Sequence, residues 1–77
     1  MMKTFEVDLH QMTVREAKKY LDSYICAMPK GTAELVVIHG FNRGSVLQRF
    51  VRSEYTHKRV EKKIIGLNQG STIFLIK

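Results

Sequence analysis

Apolar and polar positions alternate from Met1 to Leu9, with Phe5, Val7 and Leu9 interleaved by Glu6 and Asp8. That is the period of a strand with one buried face. The period then lengthens. Val14, Ala17, Leu21, Tyr24, Ile25 and Met28 recur at helical spacing, which predicts an amphipathic helix. Thr13 and Glu16 at its start form a capping box, in which hydroxyl and carboxylate each accept from a backbone N–H that lacks a helical partner. Pro29 and Gly31 end it. Leu35 to Ile38 is an unbroken aliphatic run, the mark of a strand covered on both faces. Beyond His39 to Gly44, Ser45 and Gln48 repeat the capping pattern before a helix whose apolar face is Val46, Leu47, Phe50 and Val51, with Arg49 and Arg52 on the other side. Arg59 to Ile65 and Ser71 to Ile76 read as strands flanking a turn at Gly66-Leu67-Asn68-Gln69-Gly70.

The order is therefore β-α-β-α-β-β over a single domain spanning residues 1–77. The first two strands are joined through a helix, so they run parallel with a right-handed crossover. The last two form a hairpin. The expected architecture is α+β: a two-layer sandwich of two helices on a mixed four-stranded sheet. Ligands in such sheets gather outside the carboxyl ends of the parallel strands. Here those ends are Asp8-Leu9-His10 and His39-Gly40, which should share one rim.

Composition narrows the class. Seventy-seven residues allow one small core, and 44% hydrophobic with 26% charged residues is ordinary for a folded domain. The one cysteine, Cys26, excludes an internal disulfide or a cysteine zinc site, and reads as a partly buried inert thiol. The apolar runs are too short for a membrane span or signal core, so a cytoplasmic protein without membrane attachment is expected. The net charge of +6 is uneven. Residues 1–38 carry five basic and five acidic side chains, while residues 39–77 carry eight basic against Glu54 and Glu61. That asymmetry points to an anionic partner, nucleic acid first.

The rim holds the candidate chemistry. Asp8 and His10 share one side of their strand. The free N–H groups near Gly44, Ser45, Val46 and Leu47, with Arg43 beside them, suit a phosphate. Two imidazoles, His10 and His39, could act as base and acid on a phosphodiester, with Asp8 orienting one of them or holding a weakly bound divalent ion. A single carboxylate disfavours a two-metal route, so no cofactor and no metal site is expected. Each imidazole taken singly fits a hydrogen-bonded structural role at least as well, and Gly40 and Gly44 also serve simply to turn the chain. Arg49, Arg52, Lys58, Arg59, Lys62 and Lys63 could track a nucleic-acid backbone or form a solvated face. Tyr20, Tyr55 and Phe41 are the aromatics available for stacking on bases, Phe41 first because it sits in a loop between Gly40 and Asn42.

Asp8-Leu9-His10 before a capped helix, then Val37-Ile38-His39-Gly40 with Gly44 and Leu47, and Gly-Leu-Asn-Gln-Gly before the last strand, resemble the Smr (small MutS-related) domain family over essentially the whole chain. The resemblance implies the same β-α-β-α-β-β sandwich and nucleic-acid binding, often with endonuclease activity that nicks DNA or cleaves RNA. Asp8 and His10 match the first motif, and His39, Gly40 and Gly44 match the loop motif. Two positions depart from it. Gln11 stands where many members have glycine after D-L-H, and Asn42 stands where many have a second loop glycine. Three functions fit: a nucleic-acid-binding endonuclease, a non-catalytic RNA-, DNA- or ribosome-binding module, and a protein-interaction domain whose charge is incidental.

Overall fold

A computed structural model describes residues 3–40 and 45–77. The loop residues Phe41, Asn42, Arg43 and Gly44 lie outside the described residues, as do the expectations placed on them. The elements follow in the expected order: β1 (Lys3–Asp8), α1 (Val14–Ala27), β2 (Ala33–Ile38), α2 (Val46–Arg49, continued by a π-helical turn over Phe50–Glu54), β3 (Val60–Ile64) and β4 (Ser71–Ile76). They build an α+β sandwich. The sheet order is β1-β2-β4-β3, with β1 and β2 parallel and the other pairs antiparallel.

Local chemistry explains the first helix. Glu16 N donates to Thr13 Oγ1 at 3.1 Å and Thr13 N to Glu16 Oε1 at 2.9 Å, which completes the capping box. At the other end Met28 is extended ahead of Pro29, and Gly31 turns the chain at φ 109°. The last turn of α1 has no basic residue of its own. Arg59 supplies the charge from the far end of the chain, donating to the carbonyls of Ile25, Met28, Pro29 and Lys77 at 2.8–3.0 Å. A cation at a helix C-terminus meets both the unpaired carbonyls and the negative end of the dipole. Arg59 is thus a structural clamp, its guanidinium turned to carbonyls where a nucleic-acid contact was expected.

The second helix departs from its pattern. Ser45 makes no side-chain capping bond, and Gln48 Nε2 donates instead to the Gln69 carbonyl at 2.8 Å. Only four residues are α-helical before Tyr55 N reaches back five residues to the Phe50 carbonyl at 2.7 Å. So short a segment has little macrodipole, and the expected anion site at its start loses that support. Val46 is exposed, while Phe50 and Val51 are buried.

One core lies between the helices and one face of the sheet. Val7, Leu9, Leu21, Ile25, Leu35, Val37, Val51, Phe74 and Ile76 are buried there. Burial in β2 and β4 alternates strictly, so the sheet is covered on one face and half-open on the other. The continuous aliphatic run of β2 had predicted cover on both. Tyr55 is also core, not a stacking platform. Its ring lies parallel to Phe74 at 6.0 Å and edge-on to Phe50 at 5.7 Å, and its hydroxyl donates to Asp22 at 2.8 Å. Burial, with the Asp22 carboxylate beside it, pushes that phenol well above its usual range. Cys26 is exposed rather than partly buried. Among the described residues no helix is long and apolar enough to cross a membrane.

Candidate active site at the sheet rim

Parallel pairing in register brings the two strand ends together. Asp8 lies opposite Ile38, and Leu9 N donates to the Ile38 carbonyl at 2.6 Å. His10 therefore comes level with Gly40, and a Cβ placed on Gly40 would lie 3.8 Å from His10 Cβ. Gly40 has φ +74°, a conformation that suits glycine. The turn before β4 closes the rim, its Gly70 carbonyl accepting from both His39 N and Gly40 N at 2.9 Å.

Asp8 and His10 form a dyad. Asp8 Oδ1 accepts from the His10 backbone N–H at 3.0 Å and lies 2.5 Å from His10 Nδ1. These contacts with His10, side chain first, hold the Asp8 carboxyl below its usual range. An ionised carboxylate only accepts, so Nδ1–H is the donor and Nε2 is the ring nitrogen left without a part in this contact. Both side chains are about half exposed, 50% for Asp8 and 57% for His10. The chain leaves the dyad through Gln11 at φ 72°, a left-handed conformation uncommon for a residue with a Cβ. This is the position where the sequence departs from the family's glycine.

His39 does not face this dyad. Parity places it with Leu35 and Val37 on the helix side of the sheet, whereas Asp8 and His10 lie on the half-open side. It is 3% exposed and engaged at both ring nitrogens. Arg52 Nε donates to Thr72 Oγ1 at 2.8 Å, so the Thr72 hydroxyl donates on to His39 Nε2 at 2.9 Å, and Nδ1–H donates to the Gly40 carbonyl at 2.9 Å. Burial holds the imidazole below its usual pKa. The Gly40 carbonyl opposes that shift and the Arg52 charge adds to it. A neutral ring with no vacant nitrogen braces the loop, so the expected pair of converging imidazoles is not what the fold builds.

The expected basic track is also divided. Arg52 donates to the Asn68 and Ser71 carbonyls at 3.2 and 3.0 Å and so turns toward the sheet, not away from it. Lys63 lies on the helix side, 5.6 Å from the Phe74 ring centroid, and donates to the Tyr55 carbonyl. Lys58 and Arg59 precede β3 where Val60 pairs with Ile76, at the end of the sheet remote from the rim. Arg49 and Lys62 are exposed, Lys62 on the half-open face opposite Leu75. Thr72 is the residue that sequence reasoning missed, while Gln48, expected in a capping box, pins the turn before β4 instead. A threonine at the same parity as Phe74 and Ile76 was the signal for Thr72.

A family model for the Smr domain matches residues 7–70, a stretch that contains both rim motifs. The crystal structure of the Smr domain of Thermus thermophilus MutS2 is similar over 95% of this chain and 98% of that one, with a TM-score of 0.71 and 28% identity. No curated protein matches. The family is linked to nucleic-acid binding and nicking endonuclease activity. With the sandwich, the D-L-H dyad and the H-G loop in register, the chain belongs to the Smr domain family.

Proposed function

We propose that this Smr domain binds nucleic acid across its sheet rim and nicks it, with His10 as general base and Asp8 as the group that orients it. The observation that carries this reading is the Asp8–His10 contact, which fixes the proton on Nδ1 and leaves Nε2 at an open edge. An imidazole so oriented by a carboxylate follows the logic of hydrolytic triads. Nε2 takes a proton from water as the water oxygen bonds to phosphorus. The bond from phosphorus to the leaving oxygen breaks, and that oxygen takes a proton from solvent.

His39 is a structural brace in this scheme. Its ring holds the Gly40 carbonyl, and through Thr72 and Arg52 it ties β2 to the turn before β4. The scheme calls for no metal. Asp8 is the one carboxylate assigned to it, where a two-metal route would gather several.

Cutting of supercoiled DNA and structured RNA by wild type and His10→Ala, with and without chelator, tests the reading. General base catalysis contributes about 10²- to 10⁴-fold, so His10→Ala should lose most of the activity while binding remains. Equal cutting by both proteins overturns the assignment. Salt-sensitive binding with no His10-dependent cutting leaves a binding module in its place.

A further inference from the structure

The turn between β3 and β4 is held from several sides. Gln48 donates to the Gln69 carbonyl, Arg52 to the Asn68 carbonyl, Gly70 N to Asn68 Oδ1 at 2.8 Å, and the Gly70 carbonyl accepts from His39 and Gly40. Yet the side chains that lead to its tip are apolar and outside the core. Ile64 is 37% exposed, Ile65 56% and Leu67 102%. A scattered exposed leucine needs no explanation. Three such residues within four positions, running from the end of β3 into a pinned turn beside the candidate active site, do.

We propose that Leu67 is a wedge that enters between stacked bases of a nucleic-acid duplex bound at the rim. This rests on the nucleic-acid reading above and extends it to how the substrate is deformed. Apolar side chains inserted between base steps unstack and kink a duplex, and a single aliphatic side chain on a rigid turn has the size for one step. A protein partner fits less well. A stable interface takes about 800 Å² from each side, and this tip is narrow, bordered by polar Asn68 and Gln69 and preceded by Lys62 and Lys63. Lys62, exposed on the half-open face opposite Leu75, suits a phosphate beside the wedge.

The topology sets the lateral offset between wedge and dyad. The dyad leaves β1 and the turn joins β3 to β4, two to three strand spacings across the sheet. That is about 10–14 Å, or about three to four nucleotides at 3.4 Å per step. The unstacked step should therefore lie about three to four nucleotides from the nicked bond.

Binding of duplex DNA and duplex RNA carrying 2-aminopurine at successive positions tests the wedge, with His10→Ala as the background so that cutting does not intervene. A rise in fluorescence confined to one step is expected. Leu67→Ala should abolish it and weaken binding about tenfold with an unchanged salt slope, while Leu67→Met keeps both signals. Lys62→Ala should lower the salt slope and leave the fluorescence. Binding by Leu67→Ala with wild-type affinity and fluorescence overturns the wedge and leaves the nuclease reading standing. A Leu67-dependent signal without any His10-dependent cutting does the reverse. No binding to either duplex at low salt overturns both.

Discussion

Two parallel strands end side by side at one rim, each followed by a histidine, and the surroundings separate the two rings. On β1, His10 faces the half-open side, shares its Nδ1 proton with Asp8 and keeps Nε2 in solvent. On β2, His39 faces the core, spends both nitrogens on neighbours and stays neutral. The residue type is the same, and the face of the sheet decides whether it is available for chemistry. A histidine beside a glycine loop is therefore not by itself a catalytic group. What must be known is which nitrogen is vacant.

Substitution at each site should separate the two rings most sharply. His10→Ala should cost about 10²- to 10⁴-fold in nicking with little change in melting temperature, since its side chain lies outside the core. His39→Ala should do the opposite at first order, lowering stability by about 2–3 kcal/mol through the cavity and the stranded partners Thr72 and Gly40. Denaturant titration and a nicking assay on both variants provide the check. If His39→Ala keeps full stability but loses cutting, the contrast fails.

Removing only the hydroxyl between His39 and Arg52 probes the buried side alone. Thr72→Val preserves shape but leaves His39 Nε2 and Arg52 Nε without their partner, so a loss of about 1–3 kcal/mol is expected in urea unfolding. An unchanged midpoint would remove Thr72 from the brace.

Protonation should report on the buried ring. Because the folded-state pKa of His39 is lowered, the unfolded chain binds the proton more readily. Stability is then full above the unfolded imidazole pKa of about 6.5 and is lost as pH falls below it. Asp8 shifts the same way but titrates lower, and its exposure screens the contribution. Thermal melts from pH 7.5 to 5 should show a decline for wild type that is smaller in His39→Gln. Equal declines in both would place the titrating group elsewhere.

The smallest effect concerns the loop that carries the exposed ring. Gln11 holds a positive φ, at a cost of about 1 kcal/mol for a residue with a Cβ. Gln11→Gly should raise stability by a few tenths to about 1 kcal/mol, part of the gain being offset by the glycine's freedom in the unfolded chain. Chemical denaturation resolves that difference, and a loss of stability would show that the Gln11 side chain does more than occupy the position.

Much of this contrast was legible beforehand. The capping box at Thr13 and Glu16, the parallel pairing implied by a helical crossover, and the meeting of Asp8-Leu9-His10 with His39-Gly40 at one rim all follow from short-range pattern and chain handedness. Asp8 and His10, two residues apart on one strand, had to share a side. The wrong turns have a common cause. Arg59 and Arg52 look alike as surface cations, and only contacts made across 16 to 34 residues show them holding carbonyls.

Local sequence, then, set the elements, their order, and the placing of both histidines at the same end of the sheet. Tertiary structure decided which of them faces water. Leu35 to Ile38 is apolar at every position, so its pattern carries no sign of which side is core. A shift of one residue would have turned His39 outward. That parity is set by where α1 and the turn of Phe50–Glu54 cover the sheet, through packing of Val7, Val37, Val51 and Phe74 that no local spacing encodes.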